Sequence, residues 1–551
     1  MNILLVYPRS PNSFWNYQHV MKLIGKRAVM PPLGLLTVAA MLPREWNLKF
    51  VDMNTAQLED AQIRWADYVL VSAVIIHKQP VRELAARCIA LGKTMVAGGP
   101  LFTTGYQEFP EIKHFVLGEA EELMEEVVAD MMAGTLKSVY RAEKFPNVSK
   151  TPAPRWDIVN LVDYFIMPLQ ASRGCPYTCE FCDIIEMYGR VPRVKNAQQF
   201  VAELEALRQA GWRAKVFIVD DNFIGNRKYA RGILEAMLEW RKKTNPVMEF
   251  MTEASANLAS NPELCDLMVQ NGFKKVFVGI ETPLEEGLEE CDKVPNRKRD
   301  LLESIRTLQR AGLHVAGGFI IGFDSDPPDI FERQLNFIQD AGVSIAMLSL
   351  LSALPQTALY RRLEAEGRLL TAATGNNTDG SLNFVPRMDR NRLVSEFHRL
   401  SRRIYEPEVY YRRVRNFLEV FKPRGPSFPF TLKTLWIMLK IVWLLGVKDE
   451  GRGFYWRLFA STAKHAPEKI PALIDLGIVG YHYRKVSEEL HPVSEPQPSE
   501  LNVPVAAHPA LQSTFQRVHQ SRPGHEEATA ASFVPSQRVL IDRRRSSDAS
   551  P

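Results

Sequence analysis

The chain has 551 residues, 46% of them hydrophobic, and a formal net charge of +5. That length exceeds one ordinary domain and the apolar content fills two or three cores. The mild charge gives no argument for a nucleic-acid partner, although Arg399, Arg402, Arg403, Arg412, Arg413 and Arg415 form a local basic run. Six cysteines, three of them clustered, exclude a disulfide framework. A thiolate cluster requires a reducing compartment, so the cytoplasm is the expected location.

The chain starts directly on a strand-like run, with neither a basic leader nor a long apolar stretch before it, and no secretory signal is expected. Residues 1–144 alternate two patterns. Strands are predicted at Ile3–Tyr7, Leu48–Asp52, Tyr68–Ser72 and Thr94–Ala97, and helices at Leu33–Leu42 and Arg82–Leu91. This reads as a doubly wound, Rossmann-like parallel sheet, in which ligands sit at the carboxyl ends of strands. Those ends carry Pro8, Asp52, Ser72 and Gly98-Gly99-Pro100. The glycines either let the backbone approach a large flat ligand or simply make a turn. Residues 145–163, with Pro146, Pro152 and Pro154, read as a linker.

A strand predicted over Phe165–Ser172 leads into Arg173-Gly174-Cys175-Pro176-Tyr177-Thr178-Cys179-Glu180-Phe181-Cys182, a C-x3-C-x2-C array. Thiolates at this spacing can converge on one soft metal centre, and three ligands on a cubane of four irons would leave one iron open for a small molecule. A closed zinc site wants a fourth ligand. No second C-x2-C occurs, and Cys88, Cys265 and Cys291 are solitary. Through residues 164–370 about six βα units follow, a partial (βα)6 TIM-like barrel. Its strand ends carry Asp220-Asp221-Asn222, Glu253, Ser255, Gly279-Ile280-Glu281-Thr282, Gly317-Gly318 and Gly322. Carboxylates there can meet a ligand or cap the next helix.

Residues 371–490 read as a mostly helical carboxyl-terminal domain rich in Arg and Tyr, and residues 491–551 as a disordered tail. The apolar stretch Thr434–Val447, preceded by Phe428-Pro429-Phe430, is too short to span a bilayer and is interrupted by Lys440. As a helix it places Lys433 and Lys440 on one face, flanked by Trp436 and Trp443, with Leu435, Met438, Leu439, Val442 and Leu445 opposite. That pattern suits a helix lying in a membrane interface or one packed on the barrel.

The cysteine array, with Phe181 in the aromatic place of C-x3-C-x-aromatic-C, resembles the signature of the radical S-adenosylmethionine (SAM) enzymes. The resemblance implies that Cys175, Cys179 and Cys182 hold a [4Fe-4S] cluster whose open iron takes SAM. It also implies reductive cleavage of SAM to a 5'-deoxyadenosyl radical and an electron donor such as a flavodoxin or ferredoxin. By the same resemblance Phe181, Asp221, Glu253, Ser255 and Glu281 contact SAM. The order Pro31-Pro32-Leu33-Gly34-Leu35, Gly98-Gly99-Pro100, Gly118-Glu119-Ala120-Glu121 looks like the cobalamin (B12)-binding domain that precedes many radical SAM domains. That likeness implies cofactor contacts at Asn54, Ser72, Gly98, Gly99, Pro100, Gly118 and Glu119. The sequence departs from the D-x-H-x-x-G pattern, because Asp52-Met53-Asn54 offers asparagine where histidine would bind cobalt, and His77, the nearest histidine, reads as packed or surface-exposed.

Tyr405-Glu406-Pro407 and Tyr410–Arg415 resemble the extension of a subgroup that includes the hopanoid C-2 methylase. The implied activity is a cobalamin-dependent radical SAM C-methyltransferase acting on an unactivated carbon of a small-molecule or lipid substrate, a hopanoid at C-2 among them, with peripheral association on the inner face of the membrane. Three alternatives stand beside it. One is a cobalamin-assisted oxidation or rearrangement without methyl transfer. Another is a tRNA methylthiolase, which needs a second cluster where the amino-terminal segment has only Cys88. The third is a non-enzymatic cobalamin or redox sensor.

Overall fold

Short apolar runs separated by helices make strands that are buried on both faces, and such strands pair in parallel. The computed structural model of the chain describes residues 1–426 and 431–491. Phe428–Phe430, the side chain of Lys433 and the tail from residue 492 lie outside the described residues. Six strands form the first sheet: β1 (Asn2–Tyr7), β2 (Asn47–Asp52), β3 (Tyr68–Ser72), β4 (Thr94–Gly98), β5 (His114–Leu117) and β6 (Val139–Arg141). They are all parallel in the order β2-β1-β3-β4-β5-β6. Alternate residues of one strand enter opposite cores. Leu4 and Val6 face one side with Val69 and Ala97, while Ile3 and Leu5 face the other with Leu70 and Val96. That is why these segments read as continuous apolar runs. Strands β5 and β6, at 4 and 3 residues, are too short to register as periodic patterns in the sequence.

The strand predicted over Phe165–Ser172 divides. Its first part, β7 (Ile166–Leu169), opens the second sheet; its last residue, Ser172, leaves and with Arg173 forms β8 (Ser172–Arg173), which pairs antiparallel with β9 (Arg193–Val194). The cysteines lie on the loop between β8 and β9, so a small ribbon fixes both ends of that loop. The second sheet continues with β10 (Lys215–Ile218), β11 (Glu249–Ala254), β12 (Phe273–Glu281), β13 (His314–Ile321) and β14 (Ile345–Leu350). All are parallel and adjacent in chain order, forming an open six-stranded barrel wall.

Helices Arg390–Arg403, Pro407–Val420, Arg452–His465 and Ile470–Leu490 build the carboxyl-terminal segment. Its buried residues Phe397, Tyr405, Val414, Leu473 and Tyr483 belong to one continuous core with Val276, Ile338 and Ile345 of the barrel. At the amino-terminal end of the barrel, Asp475 lies 3.8 Å from Lys215 and 3.7 Å from Lys275, which closes the floor with charge. The basic run does not form one continuous face: Arg413 is fully buried and Arg403 pairs with Glu332 at 2.8 Å, while Arg399, Arg412 and Arg415 are exposed.

Helix Leu432–Trp443 corrects the facial assignment read from its sequence. Ile441 and Leu445 are buried, Met438 and Val442 pack on the core, and Leu435 and Leu439 share the exposed side with Trp436 and Trp443. The helix is apolar nearly all round, so only its packing partner decides which stripe faces inward.

Candidate functional site

The cysteine loop is tied down from three sides. Gly174 has φ +93°, and a Cβ there would lie 2.8 Å from the Gly189 carbonyl, so a glycine is required where the loop turns back on itself. The Gly174 N–H donates to Asp221 Oδ2 at 2.8 Å. Between the second and third cysteines, the Glu180 carboxylate accepts a two-pronged contact from Arg362 at 2.7 and 3.0 Å, and the Glu180 N–H donates to the Cys291 carbonyl at 3.0 Å. Bidentate guanidinium–carboxylate pairs fix orientation as well as distance. All three cysteines are free thiols, Cys179 buried and Cys175 and Cys182 half-buried. Burial pushes each thiol upward, Cys179 to about 11, and the Lys293 ammonium opposes this at all three. Among the described residues no three His, Cys, Asp or Glu side chains converge tightly enough for a single ion. The ligands of a cubane each bind a different iron and so need not meet at one point.

The ends of β10, β11 and β12 surround the loop. Asp220 is buried and accepts from the Ala171 N–H and the Ser172 hydroxyl, both at 2.7 Å, so it braces the backbone leading into the cysteines. Asn222 donates to Ser255 Oγ at 2.9 Å and Asn257 donates to the Tyr177 hydroxyl at 2.8 Å, while the carbonyl oxygen of each amide is buried without a partner. Buried unpaired acceptors are costly, and here two of them flank the cysteine loop, where the ammonium and hydroxyl donors of SAM could satisfy them. Burial raises Asp221 to about 6 and, together with the nearby Asp221 charge, Glu253 to about 7. Thus Asp221, Glu253, Ser255, Phe181 and Glu281 do gather around the cysteines. Asn222, read in the sequence as part of a strand-end segment, joins them, as do Asn257 and Lys293, which the sequence did not single out. Only its distance from a strand end could have flagged Asn257, and nothing local flags Lys293.

In the first sheet, a cavity of about 280 Å³ opens at the carboxyl ends of β3, β4 and β5. Leu33, Val38, Ser72, Gly98, Gly99, Pro100, Gly118 and Glu119 line it, and Gln170, Arg173, Met187 and Tyr188 of the cysteine segment close it. The volume takes one part of a large cofactor such as cobalamin, with the remainder outside. Gly99 has φ +95°, and a Cβ there would sit 2.8 Å from Ser72 Oγ and 2.9 Å from the Ala73 carbonyl, so only bare backbone fits against the end of β3.

Two expected contacts, Asn54 and Glu119, are otherwise engaged, and His77 is packed, one of the two placements read from the sequence. Asn54 is not among the lining residues: its oxygen accepts from the Ser10 N–H at 2.8 Å and its amino group donates to Asp52 Oδ1 at 2.7 Å and to the Pro8 carbonyl at 3.1 Å, bracing the loops after β1 and β2. His77 is fully buried. Its Nδ1 accepts from the Val74 N–H at 3.3 Å, which leaves Nε2 protonated against Ser10 Oγ at 3.0 Å and no lone pair for cobalt. Burial accordingly lowers its pKa to about 4. Glu119 pairs with Arg173 and, at 2.5 Å, with Arg193, and Glu121 lies 2.7 Å from Arg173. Arg173 stands two residues before Cys175, so the first sheet grips the cysteine loop directly.

Three segments match known families: residues 26–128 a B12 binding domain, residues 169–362 the radical SAM superfamily, and residues 357–495 a domain of unknown function (DUF4070). The chain is 37% identical over 496 residues to an uncharacterised methyltransferase, sll1242, of Synechocystis sp., covering 89% of this chain and 92% of the relative. It is 33% identical over 468 residues to the hopanoid C-2 methylase of Rhodopseudomonas palustris, covering 83% and 88%. Two solved structures share the fold at 15% identity. The cobalamin-dependent SAM radical enzyme OxsB, with aqua-cobalamin bound, gives a TM-score of 0.59 over 89% of this chain and 80% of its own. The methyltransferase TsrM from Kitasatospora setae, with cobalamin and a [4Fe-4S] cluster bound, gives 0.56 over 84% and 99%.

Proposed function

The chain belongs to the cobalamin-dependent radical SAM methyltransferases, and we propose that its substrate is a membrane-resident polycyclic or polyprenyl lipid, a hopanoid methylated at C-2 being the leading case. With the cofactors bound, the cluster and SAM supply the one-electron chemistry that removes hydrogen from carbon, and cobalamin carries the methyl group that replaces it. Cys175, Cys179 and Cys182 would hold the cluster, with Phe181, Asp221, Glu253, Ser255 and Glu281 around SAM. Ser72, Gly98, Gly99, Pro100 and Gly118 would shape the cobalamin cavity. Glu119 would act there through Arg173, and Asn54 through the loop it braces. The electron would come from a small electron-transfer protein such as a flavodoxin or ferredoxin.

One observation carries the lipid reading. Leu432, Leu435, Trp436, Leu439, Trp443 and Val447 form an exposed apolar stripe, with Leu432 86% and Trp436 61% exposed, on a helix whose other side is already packed. Lys440 lies 5.6 Å from the Trp436 ring and Lys448 4.4 Å from that of Trp443. Indoles beside lysines match the headgroup level of a bilayer. Among the described residues no helix is long and apolar enough to cross a membrane, so the stripe would lie in the interface. The barrel's inner face supports an apolar guest. Met251, Phe277, Gly318 and Ile320 are partly exposed on β11, β12 and β13, with Glu253 and Gly279 partly exposed toward the strand ends, and Trp15 reaches Phe277 with ring centres 5.7 Å apart.

Liposome flotation with mass analysis of product tests this. The full chain should float with vesicles, and Trp436→Glu with Leu439→Glu should abolish flotation and cut methylated lipid at least tenfold. Val442 is left alone because it packs on the core. A chain that stays in the soluble fraction and makes as much product in the variant as in the wild type overturns the lipid-surface reading.

A further inference from the structure

The cysteine loop has a cation of its own. Lys293 follows the short helix Glu285–Glu290, and its Nζ lies 2.5 Å from Glu281 Oε1 and 5.9 Å from the centre of the Phe181 ring, which sits next to Cys182 in the chain. Both members of the pair are nearly buried. Three features hold them in place. Gly279 provides the space, since a Cβ there would lie 2.7 Å from Nζ. Glu281 adopts φ +65°, a left-handed conformation costly for a residue with a side chain, at the point where β12 slips register against β13. Asn296 fastens the loop that carries Lys293 by donating to the carbonyls of Gly279 and Ile280 at 2.9 and 3.0 Å. A strained strand end, a missing side chain and a clamped loop therefore converge on keeping one cation and one anion together against the cysteines.

Residues that merely braced the loop would need no charge at this spot, and Asp220, Glu180 and Arg362 already brace it. We propose that Lys293, balanced by Glu281, sets the reduction potential of the cluster held by Cys175, Cys179 and Cys182. This rests on the assignment of the cluster to those cysteines. Reduction adds one negative charge to the cluster, and net charge nearby in a poorly screened setting is a main determinant of its potential. Removing the ammonium disfavours the reduced form. Removing the carboxylate leaves the ammonium uncompensated and favours it. The two substitutions should therefore shift the potential in opposite directions, which loss of a structural brace cannot do.

The test uses the full chain, reconstituted anaerobically with iron and sulfide, with iron content measured first and redox titration followed by electron paramagnetic resonance of the reduced cluster. Lys293→Met should move the midpoint negative, so that at the potential that half-reduces wild type the reduced-to-oxidised ratio falls about threefold or more. Glu281→Gln should move it positive, and Lys293→Arg should stay near wild type. The double variant Lys293→Met, Glu281→Gln leaves no unpaired buried charge and should return close to wild type, which decides the matter if Lys293→Met alone does not fold. Shifts of the same sign in the two single variants, or no shift in either, overturn the proposal. A wild-type chain that takes up no cluster refutes instead the assignment of the cysteines.

Discussion

Replacing Arg173 with Met tests whether charge holds the seam between the two sheets. The Arg173 side chain is 13% exposed; it pairs with Glu119 and lies 2.7 Å from Glu121, whose side chains are 4% and 6% exposed. After the substitution Glu119 keeps Arg193 at 2.5 Å, but Glu121 keeps no cation, only the Thr151 hydroxyl at 2.8 Å and a backbone N–H. One buried carboxylate is left without a cation. Breaking a buried pair costs about 3–5 kcal/mol, and the surviving hydroxyl puts this case near about 3 kcal/mol. Arg173→Lys keeps a charge but cannot span two carboxylates, so about half of that loss should remain. Adding Glu121→Gln to Arg173→Met removes the stranded charge and should recover about 1–2 kcal/mol. Urea unfolding of the full chain, followed by tryptophan fluorescence, measures the midpoints, and absorbance after gel filtration measures retained cobalamin. If Arg173→Met unfolds at the wild-type midpoint, or the double variant is no more stable than the single one, the seam is not held by these charges.

Changing Cys175, Cys179 or Cys182 singly to Ala should abolish 5'-deoxyadenosine formation while leaving the near-ultraviolet circular dichroism intact, because Gly174, Glu180 and Arg362 still anchor the loop. A variant that cleaves SAM at the wild-type rate removes that cysteine from the cluster. Burial raises the Glu253 pKa from 4.5 to about 7, so between those values the folded chain binds more protons than the unfolded one and stability falls as pH rises. Glu253→Gln should remove about 3 kcal/mol of that fall between pH 4.5 and 7.5, read as the difference between wild-type and variant urea midpoints across the range before cofactor loading. Parallel pH profiles for the two proteins contradict the assignment.

Much of this molecule is legible from its residues because the signals are local. The apolar runs of β1, β3 and β4 carry their own periodicity, and parallel pairing follows from the helices between them. The spacing of Cys175, Cys179 and Cys182 states a metal chemistry without reference to any other part of the chain. Glycines 98 and 99 stand out at a strand end, where they allow either a close approach or a turn, and Asn54 stands where the D-x-H-x-x-G pattern has histidine. What depends on long-range contact could not be read. Glu119 is 54 residues from Arg173, and Lys293 is 12 from Glu281; each pair exists only because two loops end at the same place. The Trp436 helix is apolar on most sides, so its sequence could not say which stripe is inside. The remainder of the carboxyl-terminal segment, packed against the barrel, made that choice. Periodicity and motif spacing act along the chain, whereas ion pairing and facial burial depend on which distant surface arrives, and only the tertiary structure decides that.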